Sequence, residues 1–507
     1  MQNSYTKNYL KIYFWQGVSL ILNFLSMFIV VPYLTSEPAI YGIYTVCISI
    51  SIFLAYADLG FMSAGQKYAA EYFARGEISE EIKVTGFTAF ILIVFLLLFS
   101  VGFLILSFQP GLLIKDLIPG KQENIAHSLL LILALFTPVT ILQRLLQIIF
   151  GIRLEDYIVQ RSNIVASLLK ILSVLWFFRS GQYNIVGYFL FSQIMSLLAA
   201  VLTLLIARQL YNYDFKLLLK AVHFNKRIFT KTKNLAFSSL YLTLTWILFY
   251  ELDTIVIGKF FGVNQVAIYA IGLSVLSFFR SVLGIFYSPF SNRFNHFYAV
   301  GDRVGLKSFY LHVTIILAPI VVIPILTVSL LARPLVLSWV GANYTDSVEI
   351  VKLIVLCNLL AFVTYPGGIL LVVQERIKEI YLVNTIIPFV YWSGIILSYS
   401  FLGLKSFAIF KLIAFSISAF YYYYLMLKIL NISFIKSFKE IFLPILFPLL
   451  FLIVTTIIVK SYLPCEKSKL NFLIVSITAG CLILVSFIIQ YFSSSRIRIY
   501  ILKMINI

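Results

Sequence analysis

Glu37-Pro-Ala-Ile-Tyr-Gly-Ile43 and Gln265-Val-Ala-Ile-Tyr-Ala-Ile271 decide how this chain is built. They share Ala-Ile-Tyr and the closing isoleucine at an offset of 228 residues. A second pair follows in the same order. Tyr72-Phe-Ala-Arg-Gly-Glu77 matches Phe297-Tyr-Ala-Val-Gly-Asp302 at an offset of 225. Two matches in order, three residues apart in register, mark an internal repeat.

The segments around these motifs are apolar. The chain has 507 residues, of which 61% are apolar and only 12% charged, against about 25% charged in a soluble domain. A membrane helix needs about 20 mostly apolar residues. Fourteen stretches meet that rule: 13–34, 41–60, 87–108, 128–151, 162–178, 185–207, 235–258, 266–290, 311–331, 349–373, 380–401, 404–428, 440–460 and 470–491. The first is too long for a signal h-region and lacks a small-residue cleavage site, so it reads as a membrane helix. The expected fold is an all-α polytopic membrane protein. Each repeat copy carries six helices, and two more helices follow at the C-terminal end. An even number of helices separates the two copies, so both enter from the same side. The repeat is therefore parallel, with its pseudo-twofold along the membrane normal.

The formal charge is +19, from 39 Lys/Arg and 20 Asp/Glu. With the N-terminus in the cytoplasm, twenty-five of these cations fall in cytoplasmic segments, nine in outer loops and five inside helices. That is positive-inside bias, and it places both termini in the cytoplasm. The richest loop, Arg208 to Lys233, carries seven Lys/Arg and one acid. It reads as a linker with an amphipathic, interfacial stretch around Phe215 to Phe229, whose cations report topology or hold an anionic lipid headgroup. The expected organisation is an N-lobe at 1–207, a basic linker at 208–234, a C-lobe at 235–428 and the last two helices at 429–507.

Four cations remain inside apolar runs away from the helix ends: Arg144, Lys170, Arg280 and Lys411. A charge at the bilayer centre costs at least roughly 2.5–3.5 kcal/mol on insertion scales, so such groups usually face protein or a water-filled cavity. Lining a cavity for an anion is one reading. A buried ion pair, or a long side chain snorkelling to the interface, is the other. The acids are few. Asp58 ends the second span, and Glu251 and Asp253 lie near the outer end of the seventh. Two residues apart on a helix, Glu251 and Asp253 point to nearly opposite sides. Each is a candidate for carrying a proton or Na⁺, or for a structural ion pair. Asn23, Gln143, Gln147, Gln193 and Asn358 read as glue between helices. Pro138, Pro319, Pro324, Pro366 and Pro388 interrupt spans, and Pro366-Gly-Gly368 is the strongest expected break. The four cysteines and four histidines have no metal spacing, and nothing calls for a cofactor, a metal or nucleic acid.

The chain resembles the polysaccharide-exporter branch of the multidrug/oligosaccharidyl-lipid/polysaccharide superfamily, the bacterial O-antigen and capsule repeat-unit flippases. The residues that carry the likeness are short and apolar. They are Tyr41-Gly-Ile-Tyr44, Asp58-Leu-Gly-Phe61 with Gln66-Lys-Tyr68 and Glu71-Tyr72, and Asp253-Thr-Ile-Val-Ile-Gly-Lys-Phe-Phe-Gly262 with Ala267-Ile-Tyr269. The resemblance implies a flippase that carries an undecaprenyl-diphosphate-linked oligosaccharide across the cytoplasmic membrane by alternating access. It also implies an ion gradient as driving force, with H⁺ or Na⁺ as the ion, and contact with polymerase and chain-length machinery. Arg and Lys suit a diphosphate by charge and hydrogen bonding. Three rivals stand beside this reading. A drug exporter of the same superfamily is expected to have twelve helices and an acidic cavity. A lipid II flippase is expected to carry an Arg in its first helix, whereas Tyr13 to Leu34 has no charge. A membrane polymerase needs a large outer loop, and a glycosyltransferase needs acid-rich catalytic loops; neither is present.

Overall fold

A computed structural model describes residues 2–54, 58–179, 182–495 and 498. Every regular element among them is helical. In chain order the α-helices are α1 Gln2–Leu34, α2 Pro38–Leu54, α3 Phe61–Ala74, α4 Ile78–Phe108, α5 Lys121–Gly151, α6 Asp156–Phe177, α7 Ile185–Tyr211, α8 Phe215–Lys220, α9 Lys226–Tyr250 and α10 Leu252–Phe261. They continue as α11 Val263–Tyr287, α12 Phe290–Ala299, α13 Arg303–Leu330, α14 Ala332–Val340, α15 Ser347–Leu356, α16 Ala361–Val373 and α17 Ile377–Leu402. The last four are α18 Lys405–Ile429, α19 Phe434–Ile441, α20 Leu443–Val459 and α21 Lys469–Ser493.

Eleven of the described helical stretches are long and apolar enough to cross a membrane, or up to thirteen if each of two bent pairs is one span. The expected span at 41–60 is the exception. Its described helix, α2, runs to Leu54, residues 55–57 of the expected span lie outside the described residues, and a turn at Asp58 to Gly60 leads into α3. Large apolar side chains stand exposed on the long helices, among them Leu98 and Ile105 on α4, Trp176 on α6, Leu397 on α17 and Phe492 on α21. Water would penalise so much exposed apolar surface, whereas lipid does not. The protein is a multi-pass membrane protein.

The chain forms two compact units, Met1–Ala267 and Ile268–Ile507. The sequence placed the division in the basic loop at 208–234; here α9 and α10 count with the first unit. Glycines explain how closely they pack there. A Cβ at Gly60 would collide with the Ala236 carbonyl oxygen of α9, and one at Gly258 of α10 would come within 2.8 Å of Val46 on α2. Within the first unit α4 packs on α5, α6 on α7 and α1 on α6. Within the second, α17 packs on α18, α15 and α16 on α18, and α20 and α21 on α13.

The repeat is visible in the backbone. Gly76 and Gly301 both adopt left-handed φ, 77° and 74°, at the turns leading into α4 and α13. Glu77 N donates to Tyr72 O at 2.9 Å, and Asp302 N to Phe297 O at 3.0 Å. Leu154 and Glu375 repeat the pattern at the ends of α5 and α16, with φ of 56° and 53°. Glu155 N donates to Phe150 O at 3.0 Å, and Arg376 N to Leu371 O at 2.9 Å. This six-to-one bond is the Schellman closure of a helix C-terminus. Asn212 and Asn431, at φ 47° and 49°, close α7 and α18. Three paired turns place six helical segments of one unit in register with six of the other.

Two spans are bent. The seventh is a bent pair, α9 and α10, meeting at 40° around Glu251. The tenth is also bent, by 45° between α15 and α16. That break lies at 357–360, ahead of Pro366, which sits inside α16. Here Cys357, Asn358 and Leu359 donate to the carbonyls three residues back, at 3.1, 3.2 and 2.9 Å, so the α pattern tightens and the axis turns. The interfacial stretch Phe215 to Phe229 is divided between α8 and the start of α9. In addition α14 forms where the sequence suggested only a loop.

Candidate functional site

The intramembrane charges fall into separate groups within each unit. In the first unit, Lys170 lies fourteen residues into α6, roughly 21 Å along it from Asp156. It is half-buried, and its Nζ donates to Ser196 Oγ on α7 at 2.7 Å. Ser196 Oγ in turn donates to the Ser192 carbonyl at 3.0 Å, and Gln143 Nε2 on α5 donates to the Ser196 carbonyl at 3.4 Å. Three helices thus meet at Ser196. An apolar α6 holds this lysine because neighbouring polar groups replace part of its hydration.

Arg144 follows Gln143 on α5, seven residues before the helix ends, and is half-buried. It interacts electrostatically with Asp58. Two residues from different candidate sets, a cavity cation and a coupling acid, are therefore neighbours. Asp58 is 8% exposed, and its Oδ2 accepts the Met62 N–H at 2.8 Å. It lies beyond the end of α2 and holds the first turn of α3. That is a local structural task in addition to any transport role.

Glu251 and Asp253 flank the bend of the seventh span. Glu251 sits at the junction itself, outside both helices, so the opposite-faces argument from helical spacing does not apply to it. Asp253 is fully buried in the first turn of α10, where its Oδ1 accepts the Thr254 N–H at 2.8 Å. A carboxylate at a helix N-terminus is favoured by the backbone dipoles.

In the second unit Arg280 on α11 is half-buried and interacts with Tyr365 on α16. Tyr365 stacks on Tyr287 with ring centroids 4.8 Å apart. Lys411 differs from the other cations in being 0% exposed. Its Nζ lies 5.2 Å from the centroid of the Tyr391 ring on α17, and it interacts with Cys357 at the bend of the tenth span. Asn358, beside Cys357, is 5% exposed, and its Nδ2 has no hydrogen-bond partner among the described residues.

Sequence reasoning missed one charged group. Arg153, counted as a loop cation, is buried against Glu81 of α4 with Nη2 3.0 Å from Oε2. Its Nη1 donates to the Ile149 carbonyl at 2.8 Å, and its guanidinium lies over Phe73 and Tyr211 at 4.6 and 4.8 Å from their centroids. Glu81 and Arg153 are 72 residues apart, and no local spacing links them. Among the described residues no group of three His, Cys, Asp or Glu could hold a metal ion.

No family model and no curated protein matches the sequence. Solved structures do match. One described as lipid II flippase MurJ, in an inward closed conformation, has a TM-score of 0.64 at 15% identity, covering 96% of this chain and 99% of its own. An inward-facing multidrug resistance MATE family transporter of the MOP superfamily has a TM-score of 0.63 at 12% identity, covering 81% and 94%. A MATE structure in complex with MaL6 has a TM-score of 0.52 at 13% identity, covering 83% and 95%. At these identities the likeness establishes the fold, that of the MurJ and MATE transporters.

Proposed function

We propose that this protein is a flippase for undecaprenyl-diphosphate-linked oligosaccharide repeat units, working by alternating access in a bacterial cytoplasmic membrane and serving O-antigen, capsule or exopolysaccharide assembly. The observation that carries the reading is the set of cations held inside membrane helices of a MurJ/MATE-like fold. A diphosphate needs cationic hydrogen-bond donors within a low-dielectric path. Arg144, Lys170 and Arg280 are half-buried at such positions, while Lys411, fully enclosed, requires a rearrangement before it can meet substrate. The bends at Glu251 and at 357–360 supply hinges for that rearrangement. Asp58, Glu251 and Asp253 are the groups available for coupling to H⁺ or Na⁺.

Replacing Arg144 or Arg280 with alanine tests this directly. In a strain lacking its own repeat-unit flippase, each variant abolishes surface polymer while protein remains in the membrane. Normal polymer from both variants would sink the assignment. The termini are cytoplasmic in this scheme, so the exposed Cys465, between α20 and α21, reacts with an impermeant thiol reagent from outside intact cells.

A second reading, a lipid II flippase, is favoured by the MurJ superposition, which covers nearly all of both chains. Rescue of a strain depleted of its lipid II flippase, without rescue of surface polymer, would select it.

A further inference from the structure

We propose that the first unit carries a second anion site, distinct from the intramembrane cations: a cavity at its cation-rich end that holds the phosphate of an anionic membrane-lipid headgroup. The cavity has a volume of about 300 Å³, the lower end of the usual range for small-ligand pockets, roughly 300–1,000 Å³. Four elements wall it. Tyr68 and Tyr72 come from α3, and Glu80 and Lys83 from the first turns of α4. Lys220 ends α8, and Arg227 and Lys231 lie in the first two turns of α9.

Charge in the lining is one-sided. Glu80 is its one acid among the described residues, and it pairs with Lys83 at 2.7 Å. Lys220, Arg227 and Lys231 have no acid in the lining to match them. Lys231 is also positioned rather than loose. Its Nζ donates to Tyr72 Oη at 3.1 Å and lies over the rings of Tyr72 and Tyr68, 4.3 and 4.7 Å from their centroids. An ammonium has three donors, and the tyrosines orient it at the cost of one. Asn225 Oδ1 already accepts the N–H groups of Arg227 and Ile228, at 3.0 and 3.2 Å. The start of α9 is thus capped, and recognition of the anion falls to side chains.

The surroundings favour a lipid over a soluble phosphate. Leu219 and Phe224 flank the basic residues and are 73% and 54% exposed. Apolar side chains interleaved with Lys and His at the end of a membrane bundle fit the boundary of headgroups and acyl chains. There a phosphodiester lies level with the cations, and the apolar groups reach the chains below it. The tyrosines explain why Gln66-Lys-Tyr68 and Glu71-Tyr72 stand together in the sequence: one helical turn apart, they present two rings to one lysine.

The test is equilibrium binding to the full-length protein in neutral detergent, with short-chain phosphatidylglycerol, short-chain phosphatidylcholine and inorganic phosphate as separate titrants. The expected result is saturable binding of phosphatidylglycerol only. The triple variant K220Q/R227Q/K231Q weakens it about tenfold or more, since each cation near an anionic surface contributes. Removing three exposed cations outside the cavity, by R75Q/R208Q/K216Q, leaves it unchanged. Equal loss in both triple variants, or no loss in the first, overturns the site. Inorganic phosphate binding as tightly as the lipid overturns the headgroup assignment. Should the first triple variant fail to fold, the single change Lys231→Gln at an exposed position gives the same comparison. No transport is measured, so failure here is separate from failure of the flippase reading.

Discussion

Lys170 Nζ and Ser196 Oγ, on adjacent helices α6 and α7, are joined by a 2.7 Å hydrogen bond at mid-span. In the register of the repeat set by Leu154 and Glu375, the place of Lys170 is taken in the second unit by Tyr391. Tyr391 carries no charge, yet its ring lies beside Lys411 of the neighbouring α18. Each unit thus keeps one lysine between its fifth and sixth repeat helices, donated by the fifth helix in one unit and the sixth in the other. The position of the charge is kept although the residue that supplies it is not.

Lys170→Met should therefore reduce transport of a polyprenyl-diphosphate glycan at least tenfold in reconstituted vesicles, with Lys170→Arg retaining more activity. Ser196→Ala should act mainly on stability. A hydrogen bond to a charged group contributes about 1.5–3 kcal/mol, so its thermal unfolding in detergent shifts down while transport changes less. If Lys170→Met transports normally, this ammonium has no part in holding substrate.

The Arg153–Glu81 pair makes a different prediction. Both side chains are buried, with side-chain exposures of 8% and 0%, and breaking a buried pair typically costs about 3–5 kcal/mol because the remaining charge is left uncompensated. Arg153→Met and Glu81→Leu should each lower the unfolding temperature markedly. The double variant should recover part of the loss. Thermal melts of the three proteins give the coupling; additive losses would show that the pair does not interact.

These two sites show what the sequence could and could not reveal. Lys170 stood out because a lysine in an apolar run is anomalous by itself. Arg153 did not, because a basic residue at a span end is what topology already requires. Its partner Glu81 lies 72 positions away and meets it only once α4 and α5 have packed. The repeat was legible from Ala-Ile-Tyr and the Gly76 and Gly301 turns because left-handed turns demand particular residues. The bends were less so. Pro366 drew attention to the wrong point of the tenth span, since a proline is tolerated in a helix whose freed carbonyl finds another partner. The real break follows from backbone bonds at 357–360 that no residue type announces. Similarly, no local signal announces that α9 and α10 are seated against α3 and α2 by close contacts at Gly60 and Gly258.

Gly60 tests that seating. It has φ 78°, and a Cβ there would meet the α9 backbone; Gly76 has φ 77° and open space around it. Gly76→Ala should cost only the left-handed penalty, about 1–2 kcal/mol. Gly60→Ala incurs the same penalty and in addition forces α3 away from α9. Its unfolding temperature should fall well below that of Gly76→Ala. Equal shifts for the two variants would mean that α3 and α9 do not meet at this glycine.

Asp253 and Glu251 separate coupling from architecture. Asp253 is fully buried at the start of α10, and Thr254 N–H donates to its Oδ1. Glu251, half-buried at the junction of α9 and α10, changes surroundings if the 40° bend opens or closes. A coupling carboxylate must exchange its proton or Na⁺ as the protein alternates, and a bend supplies two environments. Neutralising the coupling residue should leave vesicles in which transport no longer responds to ΔpH or to a Na⁺ gradient, although downhill exchange persists. Asp253→Asn and Glu251→Gln are to be compared under both gradients. Loss of response in either variant assigns the coupling site to this bend. Retained response in both moves it to Asp58, whose neighbour Arg144 of α5 would then bring substrate charge and driving ion together beside the turn before α3.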